Sequence, residues 1–376
     1  MRALAVTAGI ILAGGSRSHQ ENYATAFAAA GCRLLAVGVA PGLDEAEAAR
    51  HAELAASLGL PLLPLEAAVA LPGASIASIC VSLPHRPRVA ALCAAAGLHL
   101  YLDKPLAGSA EDAAAIAAAV HVAGVGAQVF SHVTADWARA ARAAIREGRL
   151  GRILAVHSDM LMAKGLSAIV ASKVRQEHGT FTDFGRDLVK RELTDMGIYP
   201  VSLVAWLLGT RALSVQAVTA NHAFAQHLEH DVEDYGAMLV DFDDGVVASI
   251  TCGRVGWHAW RRPFLARVVI VGERDTLVFD SEPPELTLTS GRGVAPPGFN
   301  AIDPMEMWLS TQASPRPQPA VSAIPLGGGT PDVAAFLAML AGSEPAGIDA
   351  GAAAHHCAII AAAYLSAAEK RAVAVA

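Results

Sequence analysis

The 376-residue chain has no run of about 18 strongly apolar residues, no C-x-x-C pair and no stripe of Lys or Arg. Apolar residues reach 53%, but alanine supplies much of that figure, so the composition describes a large core and not a membrane span. The five cysteines, Cys32, Cys80, Cys93, Cys252 and Cys357, are odd in number and far apart, which argues against a disulfide framework and a zinc knuckle. They read as reduced thiols of a cytoplasmic protein. Scattered basic residues and a net charge of -7 exclude the electrostatic footprint of a nucleic-acid binder. His222, His227 and His230 are spaced five and three apart, which is no ligand pair for one helix, so they read as a solvated polar stretch and no metal is expected. A small-molecule partner remains, with neither nucleic acid nor membrane.

Met1-Arg2 followed by Ala3 to Gly15 has the outline of a secretory leader, yet Gly14-Gly15-Ser16 runs directly into a helical pattern, so the segment reads as a first strand. Short apolar runs near 3-12, 33-39, 76-82, 98-102 and 126-130 alternate with Ala-rich helical stretches near 18-30, 44-58, 86-97 and 109-123. That rhythm predicts an α/β class and a doubly wound parallel sheet over residues 1-130. Beyond Thr134-Ala135-Asp136-Trp137, which opens a further helix, the pattern turns to alternating strands at 153-162, 213-220, 237-243, 246-252 and 266-271. Asp243-Asp244-Gly245 reads as a hairpin turn. Residues 131-376 are therefore expected to form an α+β domain around a large open, mainly antiparallel sheet that also mediates oligomerisation. The polar segment 163-187 reads as a lid, and the Pro- and Gly-rich segment 291-330 as a surface excursion.

The strand-to-helix turn Ala13-Gly14-Gly15-Ser16-Arg17-Ser18 places Gly14, Gly15, Ser16 and Arg17 where a pyrophosphate would meet backbone N-H groups and a helix N-terminus. Leu12 and Arg17 stand where glycine is usual, so the turn by itself is also read as an ordinary strand-to-helix connection. The second strand ends in Val39-Ala40-Pro41 with no acid for a ribose, which leaves NAD and NADP both open. The run Leu98 to Ala107 contains Asp103, Lys104 and Pro105 just past a buried strand, so Lys104 points toward the crevice at the carboxyl end of the sheet. The preceding strand ends in Ser82-Leu83-Pro84-His85 beside the same crevice. Drawn on one helix, Arg191, Asp195 and Tyr199 share a face at four-residue spacing, although Pro200 interrupts that helix or moves its start. His132, past the last strand of the first domain, is a further candidate for the pocket.

Asp103-Lys104-Pro105-Leu106-Ala107 resembles the E-K-P-L-A motif of the Gfo/Idh/MocA oxidoreductases, the glucose-fructose oxidoreductase and inositol dehydrogenase family, and Asp195-x-Gly197-x-Tyr199 resembles its D-x-G-x-H motif. The resemblance runs over essentially the whole chain. It implies an N-terminal Rossmann domain, a nicotinamide cofactor gripped by Gly14, Gly15, Ser16, Arg17, Pro84, His85, Asp103 and Lys104, and a catalytic set of Lys104, Asp195 and Tyr199. His132 and Arg191 would touch substrate. Asp103 replaces the usual glutamate and Tyr199 the usual histidine, the latter as in the sugar-oxidoreductase and dihydrodiol-dehydrogenase branches. The implied activity is hydride transfer to or from a secondary alcohol or ketone of a sugar, polyol or cyclitol, with Lys104 lowering the phenol pKa of Tyr199. The alternative is a non-catalytic NAD(P)- or sugar-binding regulator on the same fold. A homodimer or homotetramer is the implied assembly.

Overall fold

The computed structural model describes residues 8–162, 191–221, 232–254, 264–281, 284–290, 320–326 and 331–376. Its first sheet is wholly parallel: β1 (Gly9–Gly14), β2 (Arg33–Val39), β3 (Leu62–Pro64), β4 (Ala74–Cys80), β5 (His99–Leu102) and β6 (Ala127–Val129), in the order β3-β2-β1-β4-β5-β6. Period-2 alternation divides the core. Ile10 and Leu12 face α1 (Gln20–Ala29) and α2 (Glu45–Leu58), while Ile11 and Ala13 face α3 (Leu65–Val69), α4 (Arg86–Ala95) and α5 (Ala110–Ala123). Asp44 and Ser109 cap α2 and α5, and Gly59 and Gly124 close those helices in the left-handed region. The short pair β3 and α3 escapes a periodicity reading because Pro61 and Pro64 bracket only two apolar residues.

The order reverses between β1 and β4, and ligands of such sheets lie outside the carboxyl ends at that point. Gly14 and Cys80 end the two strands, so the turn at 15–18 and the tip at 81–85 frame the crevice.

After α6 (Asp136–Arg146) comes the second sheet: β7 (Ile153–Met162), β8 (Ala212–Ala220), β9 (Tyr235–Phe242), β10 (Val247–Gly253), β11 (Phe264–Gly272), β12 (Asp275–Ser281), β13 (Pro284–Ser290), β14 (Ala320–Ala323) and β15 (Val373–Ala374). Their order is β14-β13-β12-β11-β7-β10-β9-β8-β15, antiparallel except where β7 meets β10. Along β9 the side chains of Met238, Val240 and Phe242 are buried while Leu239 and Asp241 are exposed, the pattern of a one-sided sheet. Gly245, at φ 81°, supplies the turn between β9 and β10. β14 at residues 320–323 extends the sheet edge, where a surface excursion was expected. The anticipated lid at 163-187 and the histidines at 222, 227 and 230 lie outside the described residues.

On the buried side of this sheet lie α7 (Glu192–Asp195), α8 (Ile198–Leu208) and α10 (Ala350–Glu369), and α10 also packs on α5 of the first domain. By length and composition α10 alone among the described helices could cross a membrane, but half of it is buried in the protein.

The chain's penultimate helix, α9 (Asp332–Leu340), returns to the first sheet. Val333 and Phe336 join Tyr23, Phe27 and Tyr101 in one core. Its first residue anchors it: the Asp332 carboxylate accepts from Tyr101 Oη at 2.7 Å, Thr134 Oγ1 at 3.0 Å and Gln128 Nε2 at 3.1 Å. Burial outweighs these bonds and pushes the carboxyl up to about 6. Asp332→Ala, which orphans the Tyr101 and Thr134 hydroxyls while Gln128 keeps the Asp332 carbonyl, is expected to lower unfolding stability by about 2–4 kcal/mol. A folded pKa above the unfolded value means stability present at low pH and lost as pH rises through about 6. Denaturant melts should therefore show wild type losing ground to Asp332→Asn between pH 5 and pH 7.5.

Candidate active site

The end of β5 is fixed before it reaches the crevice. Asp103 is buried, and its carboxylate accepts from Tyr23 Oη at 2.6 Å and Cys80 Sγ at 3.2 Å and meets His19 Nδ1 at 2.9 Å. Arg86 donates to the carbonyls of Asp103 and Val81, both at 2.9 Å, and to that of Pro105. Burial alone would raise the Asp103 carboxyl, but His19, Arg86 and Lys104 hold it well below the usual range. Asp103, expected at the cofactor, is thus the knot that ties the β1 turn to the ends of β4 and β5. Lys104, the next residue, is projected the other way.

Lys104 Nζ donates to Asp195 Oδ1 at 2.7 Å and to the Asp195 carbonyl at 2.8 Å, and it lies 4.6 Å from the centroid of the Tyr199 ring. One residue of the first sheet and two of the second domain so converge. They do not share one helix. α7 ends at Asp195, Met196-Gly197 turns, and α8 starts at Ile198, with Pro200 harmlessly in its first turn. Gly197 makes that turn possible, since a Cβ there would stand 2.6 Å from the Leu193 carbonyl oxygen and 3.0 Å from Cys252 Sγ. The D-x-G-x-Y spacing is a tight turn between two helices, one bearing the carboxylate and the other the phenol.

Arg191 departs from its expected place. As the residue preceding α7, it donates from Nε to Glu233 at 3.1 Å and stacks over Tyr364 at 4.1 Å, because the extended backbone there turns it away from the Asp195 face. Arg254, which follows β10, takes the place beside Asp195 where Arg191 was expected. It is 5% exposed and binds Glu192 Oε1 at 2.5 Å and Asp195 Oδ2. Nothing in the local sequence Cys252-Gly253-Arg254 marks it, as only the sheet brings residues 192 and 254 together.

His132 stacks on Tyr199, with centroids 4.5 Å apart and planes at 16°. Behind them Ser131 Oγ and His356 Nδ1, both buried and without a hydrogen-bond partner, line a cavity of about 10 Å³ with Lys104 and Tyr199, room for one water. Burial and the neighbouring Lys104 charge push the His132 imidazole down to about 4. Burial also works against the Lys104 ammonium, but Asp195, then Tyr199 and Asp103, hold it well above its ordinary value. For Tyr199 burial prevails over Lys104 and leaves the phenol at about 12. Lys104 acts on the phenol in the expected direction, lowering its pKa, but desolvation of the phenolate costs more.

The glycine turn is packed closely against its neighbours. A Cβ on Gly15 would stand 2.7 Å from Arg50 Cβ, and one on Gly14 would stand 2.7 Å from Gln20 Oε1, so no side chain fits at either position. Arg17 takes φ 58° and the turn leads to the N-terminus of α1. Gln20 Oε1 and His51 Nε2, both buried, have no partner beside this turn. The Ser16 N-H already donates to the Arg50 carbonyl at 2.9 Å and its hydroxyl to Glu53 at 2.6 Å. Pro84 is exposed at the β4 tip and His85 precedes α4. The hydrogen-bonding atoms that this turn leaves open for a bound dinucleotide are Gln20 Oε1 and His51 Nε2, since the Ser16 N-H is taken.

A doubly wound parallel sheet followed by a one-sided, mainly antiparallel sheet, with lysine, carboxylate and phenol meeting between them, defines a protein of the dinucleotide-fold class. Residues 138–278 match the GFO/IDH/MocA C-terminal domain. An oxidoreductase domain protein from Kribbella flavida is 16% identical, covering 99% of both chains with a TM-score of 0.73. A levoglucosan dehydrogenase in complex with NADH is 18% identical over 98% of this chain and 99% of its own, with a TM-score of 0.74. An NAD binding oxidoreductase from Klebsiella pneumoniae is 19% identical over 98% and 99%, with a TM-score of 0.73. At such identities the likeness is one of fold. Curated proteins returned no match to the sequence.

Removing one partner of a buried ion pair strands the other. Glu192 is 0% exposed and Asp195 shares the same guanidinium. Arg254→Met is expected to lower stability by about 3–5 kcal/mol, read by urea denaturation. A loss below about 1 kcal/mol would mean that the two carboxylates are satisfied without it.

Proposed function

We propose that the protein is an NAD(P)-dependent oxidoreductase acting on a secondary alcohol or ketone of a sugar, polyol or cyclitol, with Lys104, Asp195 and Tyr199 as its catalytic set. The observation that carries this reading is the convergence of Lys104 from the end of β5 on Asp195 at 2.7 Å and on the Tyr199 ring at 4.6 Å. The substrate class draws on the levoglucosan dehydrogenase and the other neighbours that share the fold. NAD or NADP, when bound, supplies the hydride acceptor or donor.

The residues divide the remaining work. In reduction the carbonyl oxygen must gain a proton as its carbon gains hydride, and the neutral Tyr199 phenol is the donor. The Lys104 ammonium over its ring stabilises the phenolate left behind. Asp195 orients the substrate by accepting hydroxyl hydrogen bonds, while Lys104 and Arg254 keep it ionised and in place. In oxidation the proton travels from substrate hydroxyl to phenolate. The neutral His132 ring packs flat against Tyr199 and restricts its swing. The subunits would associate as a homodimer or homotetramer.

Tyr199→Phe is expected to fold and bind cofactor normally and to lose roughly 10²-fold or more in turnover. Lys104→Ala should do similar damage, and the double variant should be little worse than either, as for residues acting as one unit. Near-normal turnover in Tyr199→Phe would pass the proton-transfer role to Lys104 or His132.

With the phenol at about 12, its protonated form is present throughout the neutral range and is lost only as pH rises toward that value. Reduction should therefore be flat with pH between about 6.5 and 9, whereas oxidation should climb about tenfold per unit. Steady-state rates in both directions check this. An oxidation profile that levels off near neutrality would point to a base other than Tyr199.

A further inference from the structure

The second strand ends without an acid, but a carboxylate reaches the crevice from elsewhere. Asp44 and Glu47 stand as N-cap and third residue of α2, the spacing at which a glutamate ordinarily turns back on the cap residue's own N-H. Only half of that box forms. Asp44 Oδ1 accepts the Glu47 N-H at 2.6 Å, whereas the Glu47 carboxylate crosses to the β4 tip and accepts the Ser82 N-H at 2.9 Å and the Ser82 hydroxyl at 2.7 Å.

That crossing has a definite position. One turn further along α2, Arg50 lies against Gly15 and accepts the Ser16 N-H, so this turn of helix covers the end of β1. Glu47, a turn earlier, reaches the end of β4. The line between the two contacts spans the point where strand order reverses, over which an adenosine ribose and pyrophosphate lie in folds of this kind. Ser82 is exposed there, while Glu47 is 6% exposed. On the same face of α2, four residues on, His51 is fully buried and its Nε2 has no partner. A carboxylate offers about four acceptor positions. Ser82 occupies two of them and leaves the others open.

We propose that Glu47 is the acid that reads the adenosine ribose, accepting its 2′- and 3′-hydroxyls and thereby selecting NAD(H) over NADP(H). The assignment rests on the cofactor reading above. A 2′-phosphate would bring about two negative charges against a carboxylate that Ser82 and the helix hold in place. Arg50 at the glycine turn is left to meet the pyrophosphate.

Equilibrium titrations with NADH and NADPH, followed by nucleotide fluorescence, test this without turnover. Wild type is expected to bind NADH about 30-fold or more tightly than NADPH. Glu47→Gln keeps the shape and an acceptor for Ser82 but loses the charge, and should weaken NADH about 10-fold while leaving NADPH unchanged or improved. Glu45→Gln, on the exposed side of the same helix, should leave both affinities as they are. NADPH binding to wild type as tightly as NADH overturns the assignment even if no variant folds, and points to Arg50 or Arg17 as a reader of the 2′-phosphate. An unchanged preference in folded Glu47→Gln overturns it too. Failure of wild type to bind either nucleotide below about 1 mM, an affinity of only about -4 kcal/mol, removes the dehydrogenase reading along with it.

Discussion

The bond between Lys104 and Asp195 joins two halves of the protein that fold by different rules. Lys104 stands at the end of a four-residue parallel strand, and Asp195 at the end of a one-turn helix resting on an antiparallel sheet. Buried charges are tolerated only when paired and hydrogen-bonded. Lys104 therefore needs Asp195, Asp195 needs Arg254, and Arg254 needs Glu192. The chain of partners fixes how the second domain's helices meet the first domain's strand ends. Behind Lys104 a second set of partners on Asp103 performs the same service for the β1 turn.

This arrangement sets the chemistry available. A lysine kept charged by a carboxylate can stabilise negative charge forming beside it. The phenol it covers is buried enough to remain protonated, which suits proton donation at neutral pH. An imidazole stacked on that phenol, and kept neutral by the same burial, adds shape and no competing charge. A tyrosine at this position keeps its proton to a higher pH than a histidine would.

The C-terminal helices close the architecture. α9 leaves the second domain to complete the core around Tyr101, and α10 lies between α5 and the second sheet. Asp332, the contact that seats α9, is a buried carboxylate whose charge is costly, so the seat favours registry over strength.

Much of this was legible along the chain, because period-2 and helical spacing are local properties. The parallel strands, the Asp243-Asp244-Gly245 turn and the lysine after a buried strand follow from neighbours in sequence. Capping residues Asp44 and Ser109 mark helix starts for the same reason, since an N-cap acts within three residues. The D-x-G-x-Y segment could be located but not drawn correctly, as a single helix and a helix-turn-helix place their polar residues at equal sequence spacing. Arg191 and Arg254 illustrate the limit. Each is one arginine in an ordinary context, and which of them faces Asp195 depends on where β10 ends relative to α7, some 60 residues apart. Glu47 is a similar case, for its spacing from Asp44 reads as a helix cap and only the meeting of α2 with the β4 tip turns it toward the crevice. The pKa of Tyr199 was out of reach altogether, because it is decided by how completely the fold removes water from the ring.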